Sequence, residues 1–512
     1  ASQREAGRDR AHHVTAGGTL ALLELDRLSL PLQAQLQAQN RLPKLSAEVR
    51  ENLLNAHCNL VRGLAHAYEQ IYKASNGQPV TGKVHACLHG VFSRLFHYES
   101  LHAQHGLLRY EDWIPTRWAF LHAAYKAAIK QRVATLPFSL VANPQPGEHF
   151  SAEQEYLQLL LLQRINTGNL SAPQIELSAE WLRAIAPSLT LAATPPPGDG
   201  YWVLDLAKAE GLFGPSPEVP ARIGLYLDIA PLRALMDRMT GYLAQGGDGG
   251  DRIETKERLA LARRLERLLL PHMMPLPRRG ERSVDKRPIK VASGWTEIPV
   301  LMRHSPAWIA QEPFKYTYGG LPGHGELNAT KVRSTASPDD DDSPHPDRRA
   351  WRMLDTSESG HRIQSRTQAG ARLQLGALLA LSFEGDNGKR IGIVRRLKRR
   401  TAEHTELGVE IIAENAQLVT SEPVESDVGT DLVSPKTRAF QAICVPPQQR
   451  AQMAPVRCLV LPTAEFKPGR RLSLKAEGQT NEVRLAVLIE YTKEWVWTTF
   501  EVAGAWRESV RL

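Results

Sequence analysis

The spacing of the apolar residues changes near Pro288, and this change constrains the fold more than any other feature of the chain. From Ser46 onward, apolar side chains recur at steps of three and four residues, which is the period of an amphipathic helix. After Pro288 they come in short alternating runs, which is the period of a half-buried strand. One fold class cannot satisfy both periods, so the sequence predicts a multidomain α+β protein.

The length of the chain agrees with this division, because 512 residues correspond to roughly three domains of about 150 residues each. Glycine and proline clusters mark the expected boundaries. The predicted parts are a partly flexible arm at 1–45, a mainly helical domain with a small β appendage at 46–245, a connecting helix at 252–270, an arginine linker at 271–287, a β-barrel at 288–418 with a flexible insertion at about 305–349, and a small C-terminal β domain at 438–512.

Composition excludes some classes of protein and leaves the partner open. Apolar residues at 42% and charged residues at 23% are ordinary values, which exclude collagen-like and wholly disordered chains. The 63 Lys and Arg residues exceed the 55 Asp and Glu residues, and the net charge of +8 suits a phosphate-bearing partner. The 4 cysteines lie far apart, and neither a membrane-spanning run nor a signal-peptide pattern is present. We therefore expect a cytoplasmic protein with no membrane insertion.

Local motifs point to no enzyme class and no metal site. The sequence contains no GxSxG nucleophile motif, no GxxxxGK[ST] phosphate loop and no Rossmann glycine pattern. His85 and His89 share a helix face, but two histidines without an HExxH motif leave a zinc site incomplete. We expect no catalytic residue, no bound metal and no cofactor. An enzyme with its site in the N-terminal region remains an alternative.

The most informative stretch reads Asp-x-Ser-x-x-Gly, at Asp355, Ser357 and Gly360, and is followed by several strand patterns. The motifs that accompany it are Leu373 with Gly376, Val394 with Arg395 or Arg396, and Leu407 with Gly408. Together these features, over about residues 278–415, resemble the PilZ domain, the bacterial receptor module for the second messenger cyclic di-GMP. The resemblance implies a PilZ-like antiparallel six-stranded β-barrel that binds this ligand through the Asp-x-Ser-x-x-Gly turn.

The resemblance also implies an Arg-x-x-x-Arg segment just before the first barrel strand. Arg278, Arg279 and Arg282 fit that position, because the predicted first strand begins at Pro288. Arg282 precedes Asp355 by 73 residues, so the fit requires the Pro-, Gly- and Asp-rich insertion to be a loop between early strands. Further candidate ligand-binding arginines are Arg287, the rival pair Arg348 and Arg352, and Arg395 and Arg396.

The chemistry of these residue types suits a cyclic dinucleotide independently of the resemblance. Planar guanidinium groups can bind phosphate oxygens or the O6 and N7 edge of guanine, and they can stack on purines. A carboxylate such as that of Asp355 can accept hydrogen bonds from the guanine N1–H and N2–H₂ groups. The small residues Ser357 and Gly360 permit close approach of the ligand.

The basic run from Arg395 to Arg400 is either a solvated face, a second phosphate contact or a nucleic-acid contact. A barrel that binds single-stranded nucleic acid is the main alternative, but it needs aromatic stacking groups. Phe383 is the only aromatic residue between Trp351 and Phe440, which argues against a nucleic-acid partner. We therefore expect a non-enzymatic receptor. The resemblance implies that its ligand changes the domain arrangement or a protein-binding surface to regulate motility, pili, exopolysaccharide or biofilm formation.

Overall fold

The structure is a computed structural model that divides into two compact units, Ala1–Pro277 (unit 1) and Arg278–Leu512 (unit 2). Each unit is described by itself. The residues that the structure describes are 16–40, 45–75, 82–113, 115–141, 149–166, 168–197, 200–214, 224–247, 252–270, 282–303, 351–357, 360–365, 373–383, 388–401, 404–424, 439–445, 457–476 and 479–502.

Unit 1 is built mainly from helices, as its three-and-four periodicity predicts. The helices are α1 (Ala16–Asn40), α2 (Ala47–Ser75), α3 (Gly82–Leu108), α4 (Pro115–Lys130), α5 (Ala152–Arg164), α6 (Ala172–Ile185), α7 (Ala230–Ala244) and α8 (Arg252–Leu269). Helix α5 lies at the centre, with every residue from Leu159 to Leu162 fully buried. Ser151 caps α5 by accepting from the Gln154 backbone N–H, while the Gln154 side chain accepts from the Ser151 N–H.

Helix α1 is attached to the domain through polar side chains, although the sequence predicts a partly flexible arm here. The Asp26 carboxylate is fully buried and accepts hydrogen bonds from Arg94 Nε at 2.7 Å and from the Tyr68 hydroxyl at 2.6 Å. It also accepts from the Tyr98 hydroxyl, to which Gln33 Nε2 donates at 2.9 Å. The buried charge on α1 is therefore paired with a cation on α3, which fixes the helix in place.

A small antiparallel sheet forms the β appendage of unit 1. Its strands are β1 (Leu191–Ala192), β2 (Tyr201–Asp205) and β3 (Gly224–Asp228), in the order β1-β3-β2. Trp202 on β2 is buried, and its indole Nε1–H donates to the Leu269 carbonyl at the end of α8 at 2.6 Å. This bond satisfies a carbonyl that the helix end leaves without a partner, and it joins α8 to the appendage.

The first barrel occupies the start of unit 2. Its strands are β4 (Ser283–Val284), β5 (Pro288–Ser293), β6 (Trp351–Ser357), β7 (Gly360–Ser365), β8 (Leu378–Phe383), β9 (Lys389–Arg399) and β10 (Thr405–Ala413). Six of them close in the order β6-β5-β8-β9-β10-β7, because β7 pairs back with β6, and the short β4 pairs with the end of β6. The predicted PilZ-like six-stranded antiparallel barrel is confirmed. The predicted insertion at about 305–349 lies outside the described residues.

The second barrel is also closed and six-stranded. Its strands are β11 (Gln417–Pro423), β12 (Phe440–Val445), β13 (Cys458–Pro462), β14 (Arg471–Ala476), β15 (Gln479–Tyr491) and β16 (Trp495–Val502), in the order β11-β12-β13-β16-β15-β14. The strand β11 belongs to this barrel, so the second barrel begins some twenty residues before the expected start at 438. Only three residues separate β11 from β10, and periodicity alone does not reveal which sheet a strand joins.

The two barrels share a core, with a helix between them that the sequence analysis did not predict. Helix α9 (Gly294–Arg303) follows β5 directly and buries Ile298 and Met302. A single buried cluster combines α9 with Leu378 and Ile393 of the first barrel and with Trp495 of the second. The Trp495 indole N–H donates to the Gly376 carbonyl at 3.0 Å. The two barrels of unit 2 therefore form one packed body rather than two independent domains joined by a linker.

Candidate functional site

The Asp355 carboxylate lies near the end of β6 and holds two arginines. Arg282 Nη1 is 2.9 Å from Asp355 Oδ1, and Arg362 Nε is 2.8 Å from Asp355 Oδ2. The carboxylate side chain is 12% exposed, whereas the two arginine side chains are 56% and 45% exposed. Val284 of the short strand β4 pairs with Asp355, and this pairing places Arg282, two residues earlier in the chain, beside the carboxylate.

The Asp-x-Ser-x-x-Gly motif forms the link between β6 and β7. Ser357 ends β6, Gly360 begins β7, and the Ser357 hydroxyl donates to the Gly360 carbonyl at 3.1 Å. A Cβ atom at position 360 would lie 2.7 Å from the Val409 carbonyl oxygen of β10. Glycine is thus required there by the packing of the barrel itself, whatever the position also offers to a ligand.

Beside this turn lies a second group of polar and aromatic side chains, none of which the sequence analysis proposed except Arg287. His361 on β7 accepts a hydrogen bond from Arg390 Nη1 at 3.0 Å and contacts the Thr356 hydroxyl through Nδ1 at 2.8 Å. The guanidinium groups of Arg390 and Arg287 lie 4.6 and 5.5 Å from the centroid of the Phe383 ring, within cation–π range.

Burial and the neighbouring cation determine the charge state of His361. Loss of solvent and, to a smaller extent, the positive charge of Arg390 together lower the pKa of this imidazole to about 4. A neutral ring agrees with the geometry, since Nε2 accepts from a guanidinium and Nδ1–H is then free to donate to Thr356. The positive charge of the site therefore comes from its arginines.

The remaining predicted arginines differ in their surroundings. Arg395 bonds Glu410 on β10 at 2.7 Å and forms a two-pronged pair with Glu490 of the second barrel at 2.6 and 2.7 Å. These carboxylates raise the pKa of Arg395, and the contact joins the barrels. Arg396 and Arg352 are exposed on β9 and β6. Arg287 pairs with Asp285 at 2.9 Å. Arg278, Arg279 and Arg348 lie outside the described residues.

Two other motif residues, Gly376 and Gly408, have structural explanations. Gly376 adopts a φ of +81°, which favours glycine, and its N–H donates to the Val394 carbonyl at 2.8 Å. A Cβ at Gly408 would lie 3.0 Å from the Arg396 Cβ on the neighbouring strand. The Leu-x-x-Gly and Leu-Gly motifs therefore shape the barrel around the site.

The expectations on metal binding and membrane insertion concern residues outside this site. Within the described part of the chain, no group of three or more His, Cys, Asp or Glu side chains could hold a metal ion. His89 contacts the Phe138 ring edge-on, with centroids 5.4 Å apart, and the His85 side chain is not among those described. None of the helices described is long and apolar enough to cross a membrane.

The sequence missed Arg362, His361, Arg390 and Phe383 for a shared reason. Each lies on a strand that the sequence pattern indicates. Which residues of these strands come into contact, however, depends on the pairing of strands that are distant in the chain. The available signal was the position of Arg362, two residues after the glycine of the motif and hence on the strand beside Asp355.

Two regions of the chain match models of known protein families. Residues 10–196 match a family model described as the N-terminal domain of the cyclic-di-GMP receptor FimW, and residues 315–417 match its middle PilZ domain. The second match begins after β5, so the arginine segment at 278–282 lies outside it. No curated protein and no solved structure matches the chain. Models of two domains of one family thus cover more than half of the chain.

Proposed function

Because the chain belongs to the FimW family of cyclic-di-GMP receptors, we propose that it binds cyclic di-GMP beside Asp355, at one end of the first barrel. The observation that carries the proposal is the meeting of Asp355 with Arg282 and Arg362 next to the Ser357–Gly360 turn. An acceptor for a guanine edge and two donors for phosphate are thereby within one small region.

The charge of this region supports a doubly negative ligand. The two arginines on Asp355 are joined by Arg287 and Arg390, while the acidic side chains of the cluster are Asp285 and Asp355. Four guanidinium groups therefore face two carboxylates, which leaves an excess of about two positive charges for two phosphate groups. Arg278 and Arg279 would add to this excess.

The carboxylate can serve the arginines and a guanine at once. An ionised carboxylate has about four lone-pair positions, two on each oxygen. Arg282 uses one position on Oδ1, and Arg362 uses one on Oδ2. One lone-pair position remains on each oxygen. These two acceptor positions match the paired N1–H and N2–H donors of guanine. The arginines orient the carboxylate, and their exposed parts can turn to phosphate.

The output of the receptor depends on unit 2 as a whole. The site is built on β6 and β7, and the same barrel shares its core with the second barrel through α9. Because the two barrels form one packed body, a structural change on ligand binding can alter the surface of either barrel. We infer a regulatory role in pili or motility, exerted by a changed domain arrangement or protein contact in the cytoplasm, with no catalysis.

Calorimetric titration of the intact protein with cyclic di-GMP tests the proposal. We expect micromolar or tighter affinity, and Asp355→Ala should weaken it by about 5- to 150-fold because guanine donors lose their acceptor. Arg282→Ala should weaken it by roughly 30- to 1000-fold through loss of a charge-assisted fork. Absence of binding by the wild-type protein at micromolar ligand would contradict the proposal.

The same titration separates the two alternatives. A short single-stranded oligonucleotide should not compete with cyclic di-GMP, because the aromatic residue of the site, Phe383, is buried and covered by guanidinium groups rather than open to base stacking. Oligonucleotide binding that Asp355→Ala does not weaken would favour the nucleic-acid alternative. A metal or organic cofactor that copurifies with unit 1 would favour the enzyme alternative.

A further inference from the structure

A cavity of about 220 Å³ in unit 1 lies between α4, α5 and the chain that follows β2. Two indole rings, those of Trp113 and Trp118, form part of its wall. Gln163, Arg164 and Asn166 supply polar groups from the end of α5. Because it combines flat apolar surfaces with a few convergent polar groups, this indole cavity has the make-up of a small-molecule site.

The walls of the indole cavity are held in place by contacts outside it. Trp118 stacks on His122 with ring centroids 5.4 Å apart, and His122 Nε2 lies 2.9 Å from the Glu210 carbonyl oxygen. A Cβ at Gly211 would lie 3.0 Å from the Trp118 ring, so only glycine lets the chain approach this closely. The site is therefore formed before any ligand arrives, which lowers the entropic cost of binding.

Arg164 is an exposed residue at the end of α5, and it differs from the ion-paired arginines of this unit. Arg94 and Arg117 are paired with carboxylates, and those neighbours raise their pKa values. Partial burial instead lowers the pKa of Arg164. Its guanidinium lies 4.2 Å from the centroid of the Trp202 ring, and among the described residues it forms no ion pair with a carboxylate. Its positive charge is thus available to an anion.

A second group at the cavity also lacks a partner. The Trp113 indole N–H is buried, and among the described residues no acceptor lies within hydrogen-bonding distance. A buried donor without an acceptor is costly, and such groups point to a bound partner. Asp112 also lines the cavity, but it already has an interaction partner.

We propose that the indole cavity binds a small molecule in which a planar ring carries a carboxylate or phosphate. The ring lies against Trp113 and Trp118, and the anion pairs with Arg164. The volume is below the roughly 300–1,000 Å³ of typical drug-sized pockets, so the cavity takes one ring system with one anionic group. All residues of this site belong to unit 1, whereas those of the proposed cyclic di-GMP site belong to unit 2.

Titration calorimetry on the full chain tests this site with two acidic probes, indole-3-acetate and 5′-GMP, and with the neutral analogue indole-3-acetamide. We expect saturable one-to-one binding of at least one acid with a Kd of about 0.1–1 mM. For indole-3-acetate, the amide should bind about tenfold more weakly because it loses the charge-assisted bond. Tighter binding of 5′-GMP would identify a nucleotide, and tighter binding of the indole acid an aromatic acid.

Two variants and one control decide the outcome. Arg164→Gln should abolish the preference for acid over amide, and Trp113→Ala should weaken both acids about fivefold or more. The control Arg264→Gln changes a half-buried arginine, which donates to the Asn169 carbonyl and does not line the cavity, and it should bind like wild type. The proposal is wrong if neither acid saturates below about 5 mM or if Arg164→Gln keeps the preference. Cyclic di-GMP titrations are unaffected either way.

Discussion

At the scale of single residues, the first barrel uses one buried carboxylate to organise several cations. Asp355 is almost fully enclosed, and its two oxygens each receive one guanidinium group. Next to it, His361 is kept neutral by burial and by a hydrogen bond from Arg390. The result is a positively charged surface whose acceptor groups have fixed orientations, as recognition of a nucleotide requires.

Arg362 is expected to contribute to the affinity for cyclic di-GMP although no motif contains it. Arg362→Ala removes the group that fixes Asp355 Oδ2, and it also removes one positive charge beside the phosphates. We expect a loss of about 5- to 30-fold in calorimetric titration. Arg352→Ala is the matched control, because Arg352 is exposed on the same sheet and carries the same charge. Equal losses in both variants would mean that only net charge matters.

His361 should make unit 2 less stable in mild acid. Well above pH 6.5, the ordinary pKa of an imidazole, the ring is neutral in both the folded and the unfolded chain, so it adds no pH dependence there. As the pH falls from about 6.5 towards the folded pKa of about 4, the unfolded chain takes up a proton that the folded chain refuses. The free energy of unfolding should therefore fall by about 2 kcal/mol over this window.

Urea unfolding of His361→Gln at pH 7 and pH 4.5 checks this expectation. The difference between the two pH values should be smaller than in wild type by roughly 1–2 kcal/mol. His404→Gln, at the turn between β9 and β10, serves as the control and should keep the wild-type difference. An unchanged difference in His361→Gln would show that this ring does not contribute to the acid sensitivity.

At the scale of elements, helix α1 buries polar residues and exposes leucines. Thr19, Asp26 and Gln33 are buried at intervals of seven residues. Leu20, Leu25, Leu28 and Leu32 are each at least half exposed. Hydrophobic periodicity cannot predict such an attachment, because the residues that hold the helix are those that ordinarily face solvent. A buried ion pair and its hydrogen bonds therefore add to the limited apolar packing of the helix, which Leu22 and Leu23 supply.

Asp26→Asn should destabilise unit 1 strongly. The substitution leaves the Arg94 guanidinium buried without its counter-charge, and breaking one partner of such a pair typically costs about 3–5 kcal/mol. Chemical denaturation followed by circular dichroism measures the effect. Glu24→Gln, which removes an exposed ion pair with Arg27 on the same helix, should leave the midpoint unchanged. A small effect of Asp26→Asn would mean that α1 detaches at little cost.

At the scale of the whole molecule, the chain is organised as a helical unit and a double barrel. Each unit has its own buried cluster, and the second unit has one that spans both barrels. The connection between β10 and β11 is three residues long, and α9 packs between the barrels, so the described part of unit 2 contains no linker between the barrels that could act as a hinge. Domain movement on ligand binding is therefore expected outside unit 2.

The shared core predicts how fragments behave. Residues 278–512 produced alone should fold and bind cyclic di-GMP with an affinity within a few-fold of the full chain. Residues 278–416 lack the second barrel, expose Ile391 and Ile393 of the shared core, and should aggregate or unfold. Circular dichroism, gel filtration and calorimetry on both fragments check this. A shorter fragment that is monomeric and binds normally would show that the first barrel is independent.

The sequence by itself determined the features that depend on neighbours along the chain. Its periods gave the helical and β halves, and the turn at Asp355–Gly360 with the Leu-Gly motifs identified the PilZ barrel and its family, both of which are confirmed. These signals are local, since a turn or an alternating strand is encoded within a few residues. The arginine assignments stay predictions, although Arg282 lies where the predicted arginine linker requires it.

Only the tertiary structure decided which residues meet. Arg282 reaches Asp355 across 73 residues, and Arg395 reaches Glu490 across 95. The polar anchoring of α1, the helix α9 between the barrels and the recruitment of β11 to the second barrel are likewise non-local. The physical reason is that strand pairing and helix packing are chosen by the total surface they bury, which no short window of the sequence contains.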